Sequence, residues 1–250
     1  MRSLTPLSAA RWVTKTTNNM DAILMCAGLG TRMRPLTNDT PKPLIPIAGK
    51  SSLFRTLEIL PSEITRIIIV ASYLEEKIKA AVGQTWNGKP IVYVHQDPLD
   101  GTGGCVRQVK AQVPDLSERF LILNGDDLYA ADDLKALLAY PRALLGIEIV
   151  GKKEGTVDAW IVNDQRQVQS LYRPAEGERG WLNPGAYVLD HHWFETDPVL
   201  VPKKTDEYGL PQGIPQMVRN GYDVTVIPAT FWMPVGSLEE LKKAETVLTS

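Results

Sequence analysis

The sequence is poor in cysteine, in long apolar runs and in net charge. Among 250 residues the cysteines are Cys26 and Cys105, which argues against a disulfide scaffold and favours reduced thiols in the cytoplasm. No stretch approaches the ~18 consecutive apolar residues that a membrane-spanning helix needs. The formal net charge of −2 gives no general attraction to nucleic acid or to an anionic membrane. Any binding of phosphate groups must therefore depend on a local cluster of cations.

Residues 1–19 differ in composition from the rest of the chain. They contain Arg2, Arg11 and Lys15, several serines and threonines, and no acidic residue, as transit peptides do. Met20 stands directly before the first predicted strand, so a start codon upstream of the natural one gives the same pattern. We expect a disordered or non-native extension at 1–19, followed by a single domain at 20–250.

The first half of the domain alternates β-branched runs with amphipathic segments. Buried strands are predicted at residues 22–26, 64–71, 90–95 and 120–123. Amphipathic helices are predicted at residues 51–60, 73–82, 105–113 and 132–140, the last with an aspartate as N-cap. This alternation predicts an α/β fold whose parallel strands are connected by helices.

The second half contains more strands than helices. Strands are predicted at residues 143–150, 157–162, 167–172, 186–189 and 223–228, with a hairpin turn at 163–166. Helices are predicted at residues 210–220 and 237–248. Ser237 followed by Glu240 predicts a capping box at the start of the terminal helix.

The segment between residues 27 and 46 is a candidate phosphate-binding loop. It follows the first predicted strand, contains Gly28 and Gly30, and carries Arg32 and Lys42 between prolines. Glycines let the backbone approach a ligand and leave N–H groups free to bind anions. Loops at the carboxyl ends of parallel strands bind ligands in open α/β sheets. The loop therefore predicts a polyphosphate site.

Several ordered motifs together resemble one family, the sugar-1-phosphate nucleotidylyltransferases. These motifs are Gly-Leu-Gly-Thr-Arg-Met-Arg-Pro-Leu-Thr at 28–37, Pro-Lys-Pro at 41–43, Gln96 with Asp-Gly-Thr-Gly-Gly at 100–104, Asn-Gly-Asp at 124–126, Asn-Pro-Gly-Ala-Tyr at 183–187 and Phe-Trp-Met-Pro-Val-Gly-Ser at 231–237. The family joins a nucleoside triphosphate to a sugar 1-phosphate and releases pyrophosphate. The resemblance implies a Rossmann-like three-layer α/β/α fold with a mostly parallel mixed central sheet.

The resemblance also implies a role for particular residues. Arg32 would bind the β- and γ-phosphates, Lys42 the α-phosphate, and Asp126 a Mg²⁺ ion. The implied nucleotide-binding residues are Met25, Ala27, Gly28, Gly30, Thr31, Gln96, Gly101 and Thr102. The implied sugar-phosphate-binding residues are Arg173, Asn183, Gly185 and Glu207. Asp127 is interpreted as a turn residue in preference to a residue that supports the metal site.

The sequence departs from the family pattern at two places. Pro234 stands where the family has a second metal-binding aspartate, so Asp127, Asp158, Glu207 or water must complete the metal's ligands. Tyr172 replaces an acidic residue next to Arg173 and cannot accept hydrogen bonds from sugar hydroxyls as a carboxylate does.

Three functions follow from this pattern. The first is Mg²⁺-dependent transfer of a nucleoside monophosphate to a sugar 1-phosphate, with the triphosphate and the sugar phosphate as partners. The alternatives are a non-catalytic regulatory subunit that binds nucleotide sugars, and a cytidylyltransferase that acts on a phosphorylated alcohol. All three allow a homo-oligomer, and none identifies the base or the sugar.

Overall fold

The computed structural model describes residues 19–153 and 157–249. The predicted extension at 1–19 therefore lies, but for its last residue, outside the described part of the chain. The strands are β1 (Met20–Met25), β2 (Pro46–Ile47), β3 (Lys50–Ser51), β4 (Ile64–Ala71), β5 (Thr85–Trp86), β6 (Lys89–His95), β7 (Arg119–Asn124), β8 (Leu128–Tyr129), β9 (Ala143–Val150), β10 (Ala159–Val162), β11 (Val168–Tyr172), β12 (Arg179–Leu182), β13 (Ala186–Asp190), β14 (Thr225–Pro228) and β15 (Trp232–Met233). The helices are α1 (Ser52–Ile59), α2 (Glu75–Val82), α3 (Gly101–Gln112), α4 (Ala131–Leu137), α5 (Leu210–Arg219) and α6 (Leu238–Thr249), with short 3₁₀ helices at Thr31–Met33, Lys42–Leu44 and His191–Glu195.

Four parallel strands form the centre of the sheet, in the order β7-β1-β4-β6. Met25 at the end of β1 lies level with Val70 of β4 and Asn124 of β7. The carboxyl ends of these strands consequently meet at one edge of the sheet, the edge at which open α/β sheets bind ligands.

The second half of the chain extends the same sheet with antiparallel strands. β13 pairs with β7, and β9 pairs with β13 at Leu144 and with β12 from Ile147 to Val150. The full order is β11-β10-β12-β9-β13-β7-β1-β4-β6-β5, with β14 parallel to β9. The expected mixed sheet with a parallel core is thereby confirmed.

Helices cover both faces of the parallel core. Leu24 of β1 packs in a cluster with residues of α1, α2 and α4, whereas Ile23 packs with residues of α3 and α5. Successive side chains of a strand point to opposite faces, so a strand buried on both faces is a continuous apolar run. The sequence Ala-Ile-Leu in β1 has this property and confirms the three-layer arrangement.

Several predicted boundaries are wrong. The helix expected from residue 105 begins at Gly101, and β12 was not predicted. α4 has Ala130 as its N-cap without a side-chain hydrogen bond, so the aspartate cap is incorrect. The capping box of α6 is confirmed in part: Ser237 Oγ accepts a hydrogen bond from the Glu240 N–H at 3.2 Å, but the Glu240 carboxylate accepts from Gly236 N instead of Ser237 N. Across residues 19–153 and 157–249, no helix combines the length and apolarity needed to cross a bilayer.

Candidate active site

The phosphate-binding loop is anchored by a small apolar core of its own. Met33 from the loop packs with Leu128 of β8, Val235, and Leu241 of α6. Burial of Met33 fixes the 3₁₀ helix that carries Arg32, which is itself exposed. A Cβ atom at Gly236 would lie 3.1 Å from Arg32 Nη2, so the guanidinium lies directly against this glycine.

Gly30 gives the loop its turn. It has φ 63°, a left-handed conformation that favours glycine, and its carbonyl accepts a hydrogen bond from Thr37 Oγ1 at 2.8 Å. A Cβ atom at Gly28 would meet nothing within 4 Å, so the chain is open to a ligand there. Of the other predicted nucleotide-binding residues of this segment, Met25 is half-buried at the end of β1, Ala27 is buried and Thr31 is exposed.

An ion pair joins the phosphate-binding loop to the end of β7. Lys42 Nζ donates to Asp126 Oδ2, and the side chains are 11% and 27% exposed respectively. The turn that holds Asp126 is fixed by a 3.0 Å hydrogen bond from Gly125 N to Met25 O. A Cβ atom at Gly125 would lie 2.3 Å from Cys26 Sγ, so this position requires glycine. The structure thus brings together two of the residues predicted to be catalytic.

Asp127 lies in the turn after β7, as interpreted from the sequence, but its side chain also has specific partners inside the protein. Its side chain is buried, and Oδ2 accepts hydrogen bonds from Asn124 Nδ2 at 3.1 Å and from Trp232 Nε1 at 3.2 Å. Burial, and secondarily the charge of Asp126, raise the pKa of Asp127 to about 7. The sequence signal that could have found it is the Trp-containing motif near the C-terminus, which supplies one of the two donors.

The segment that carries Trp232 is held by a buried carboxylate on α4. Asp133 Oδ2 accepts from Thr230 N at 2.7 Å and from Phe231 N at 3.2 Å, while Oδ1 accepts from Thr230 Oγ1 at 2.9 Å. β15 then pairs with β8 directly beyond Asp127. Sequence reasoning missed Asp133, because an acidic residue in the first turn of a helix is ordinarily explained by the helix dipole.

The predicted sugar-binding segment adjoins the same strand end. Asn183 Oδ1 accepts from Gly185 N at 3.1 Å, and its Nδ2 donates to Tyr187 Oη at 2.6 Å. Asn124 N donates to Gly185 O at 3.0 Å. Asn183 and Gly185 therefore lie next to the strand end that carries Asp126.

Two predicted base-contacting residues already have protein partners. Gln96 is buried, and Nε2 donates to Asp100 Oδ1 at 3.2 Å and to Gly101 O at 3.0 Å, which leaves Oε1 as the free acceptor. Thr102 Oγ1 accepts from Leu210 N at 3.0 Å. Its hydroxyl therefore links α3 to the start of α5 and keeps its proton and one lone pair for further hydrogen bonds.

Two further candidates are bonded away from the Lys42–Asp126 pair. Arg173 Nε lies 3.8 Å from Asp158 Oδ1, and Glu207 Oε1 accepts from Lys204 Nζ at 3.0 Å. Among the described residues, no hydrogen bond or ion pair joins Arg173 or Glu207 to Asp126. Their roles toward a sugar phosphate stay predictions.

The donor set fits a hard divalent cation. In the described ranges no three His, Cys, Asp or Glu side chains are grouped as a complete metal cage. Mg²⁺ is commonly held by only one or two carboxylates, together with substrate phosphates and water. Asp126 and Asp127 at the end of β7 meet that requirement.

Comparison with known proteins points to one family. The family model described as Nucleotidyl transferase matches residues 21–250. The chain is 31% identical over 230 residues to the bifunctional protein GlmU of Methanocaldococcus jannaschii, covering 92% of this chain and 54% of that protein. It is 26% identical to the UTP--glucose-1-phosphate uridylyltransferase AglF of Haloferax volcanii, covering 90% of this chain and 95% of that protein.

A solved structure shows the same fold at low sequence identity. A putative glucose-1-phosphate thymidylyltransferase from Bacillus anthracis, in complex with a sucrose, has a TM-score of 0.76 and 18% identity, covering 91% of this chain and 94% of that one. The chain spans about half the length of the GlmU relatives it matches. Because the family model matches nearly all of the sequence, the chain belongs to the nucleotidyl transferase family.

Proposed function

We propose that the protein transfers a nucleoside monophosphate from a nucleoside triphosphate to a sugar 1-phosphate and releases pyrophosphate. The observation that carries the proposal is the Lys42–Asp126 ion pair at the carboxyl edge of the parallel strands. It brings a cation of the phosphate-binding loop to a carboxylate suited to a metal, with Asn183 and Gly185 in the loop that leads into the adjoining strand β13.

The reaction joins two anions, so charge neutralisation and positioning supply most of the catalysis. A phosphate oxygen of the sugar 1-phosphate attacks the α-phosphorus, and the bond from that phosphorus to the bridging oxygen of pyrophosphate breaks. Arg32 would neutralise the departing pyrophosphate; this is supported by its guanidinium being exposed and without a hydrogen bond or ion pair to the described residues. Lys42 would neutralise the α-phosphate.

The remaining predicted residues orient the substrates. The open backbone at Gly28 and the free Oε1 of Gln96 support binding of the nucleotide, and Asn183 and Gly185 support binding of the sugar. Asp126, with Mg²⁺ as the proposed cofactor, would hold the ion near both phosphates. When bound, Mg²⁺ supplies positive charge that lowers the repulsion between them.

Pyrophosphate release tests the proposal. Purified protein is incubated with each common nucleoside triphosphate and a panel of sugar 1-phosphates, with phosphocholine as a phosphorylated-alcohol control. Release that requires one triphosphate and one sugar 1-phosphate is the expected result. If only CTP with phosphocholine gives turnover, the acceptor is a phosphorylated alcohol and not a sugar 1-phosphate.

Pro234 favours a second candidate function, binding of nucleotide sugars without turnover. Proline has no side-chain ligand, so the position offers nothing to a metal. Saturable binding of a nucleotide sugar, combined with no pyrophosphate release from any pair, would establish this second function and refute the first.

A further inference from the structure

The carboxylate of Asp127 has one oxygen engaged and one free. Both of its donors, Asn124 Nδ2 and Trp232 Nε1, are bonded to Oδ2. Among the described residues Oδ1 accepts no hydrogen bond, although the side chain as a whole is buried. Oδ1 is not one of the fully buried polar atoms that lack a partner, so it keeps contact with solvent and is open to water or to a ligand.

The charges around Asp127 indicate what that ligand is. Asp126 is the neighbouring anion, and the ammonium of Lys42 is bonded to it. The Asp126 charge acts unfavourably on Asp127, while the Lys42 charge acts favourably. When both carboxylates are ionised, they share one ammonium and carry a net negative charge, which attracts a further cation.

We propose that Asp127, oriented by the indole N–H of Trp232, supplies the second carboxylate of the divalent-cation site, through its free Oδ1. This inference rests on the proposed function and deepens it, since Pro234 offers no ligand to the same site. Asp126 and Asp127 then hold the cation together from the end of β7.

The orientation of Asp127 is built into the fold. Trp232 donates to Oδ2 from β15, and β15 is held against β8 by its pairing and by the bonds from residues 230 and 231 to Asp133. Two donors on one oxygen fix the carboxylate plane and direct the other oxygen away from them. A ligand fixed in this way loses little rotational freedom when it binds a metal.

Other carboxylates of the chain are less suited to this role. Asp158 is 37% exposed and lies 3.8 Å from Arg173. Glu207 is 41% exposed and is paired with Lys204. Each already has a cationic partner of its own, whereas the ammonium that acts on Asp127, that of Lys42, is bonded to Asp126.

Binding of Mn²⁺ tests the inference without reference to turnover. Mn²⁺ accepts the same oxygen ligands as Mg²⁺, and free Mn²⁺ is measured by electron paramagnetic resonance. Asp127→Asn keeps an oxygen that accepts from Trp232 and Asn124 but removes the charge, and we expect Mn²⁺ affinity to fall about 10- to 100-fold. Trp232→Phe should weaken Mn²⁺ binding by a smaller factor, since the carboxylate stays but loses its orientation. Asp132→Asn, on the exposed side of α4, should leave the affinity within about 2-fold.

Three results test the role of Asp127 and the proposed function separately. Mn²⁺ affinity that is unchanged in Asp127→Asn, or absent from the wild type, overturns the inference. Wild-type turnover together with unchanged affinity in Asp127→Asn refutes the inference and leaves the proposed function intact. A loss of affinity in Asp127→Asn without turnover by the wild type supports the cation site and refutes the proposed function.

Discussion

In the proposed reaction the α-phosphate is neutralised by the ammonium of Lys42. Its partner Asp126 is only 27% exposed, so the pair is screened less than an ion pair on the surface. Because the proposed reaction needs Lys42 at the α-phosphate, the ion pair must loosen when the substrates bind. Removal of the Asp126 charge would then lower the rate of the reaction more than it lowers the stability of the fold.

Asp126→Asn tests this at the residue scale. Loss of the charged metal ligand should lower turnover by about 100-fold or more, while the amide still accepts a hydrogen bond from Lys42. Steady-state pyrophosphate release measures the effect, and Asp164→Asn in the exposed β10–β11 turn serves as the control. Retention of most activity in Asp126→Asn would place the metal elsewhere.

Arg32→Ala should weaken the binding of a nucleoside triphosphate more than that of a nucleoside monophosphate. A guanidinium that contacts the β- and γ-phosphates contributes about 1.5–3 kcal/mol to triphosphate binding and almost nothing to monophosphate binding. Isothermal titration calorimetry with the preferred nucleoside triphosphate and monophosphate measures both affinities. Arg34→Ala, on the same loop and also exposed, is the matched control. Equal losses for the two nucleotides would contradict the assignment.

Asp127 should make the stability of the metal-free protein depend on pH. Its pKa is about 7 in the folded state, above the unfolded value near 4, so the folded state prefers the protonated carboxyl. The stability that this preference provides is complete below pH ~4 and is lost as pH rises through ~7. Urea unfolding at pH 5 and pH 8 in EDTA should show the wild type losing more stability than Asp127→Asn. Equal losses of stability in the wild type and in Asp127→Asn would exclude Asp127 as the source of the pH dependence.

At the scale of the elements, the turn after β7 depends on the absence of a side chain at Gly125. A Cβ atom at Gly125 would lie 2.3 Å from Cys26 Sγ and 3.0 Å from Met25 O. We expect Gly125→Ala to lower the free energy of unfolding by about 1–3 kcal/mol, as overpacking does. Urea denaturation measures the change, with Gly28→Ala, where a Cβ meets nothing within 4 Å, as the control. Equal stability of the two variants would show that the turn can adjust.

Elements with a strong local pattern could be predicted from the sequence, and those that depend on distant partners could not. The run Ile-Ile-Ile-Val-Ala of β4 is sufficient for a buried strand. The Arg-Gly-Trp-Leu of β12 has no such periodicity and becomes a strand by pairing with β9 and β10. Asp127 likewise looked like a turn residue, because its donor Trp232 lies 105 residues away in the sequence.

At the scale of the whole molecule, substrates that bind as proposed would contact both the parallel half and the antiparallel half. A nucleotide-sugar product that contacts both halves binds the folded chain and not the unfolded chain. At a concentration 100 times its Kd, such a ligand stabilises the fold by about 2.7 kcal/mol. For a chain of this size the melting temperature should rise by about 5–10 °C. A thermal-shift screen of nucleotide sugars, with free sugars as controls, would reveal the preferred base. No shift with any nucleotide sugar would contradict binding across the halves.

The two halves also meet where Gly101 and Gly103 pack against residues 208 and 209. Gly103 N donates to Tyr208 O at 2.8 Å, Tyr208 N donates to Asp100 O at 2.6 Å, and the atoms nearest these glycines belong to the backbone. Because these contacts are made by main-chain atoms, they do not depend on which side chains stand at 207 and 208. Substitution of the side chains at 207 and 208 should therefore leave the alignment of the two halves unchanged.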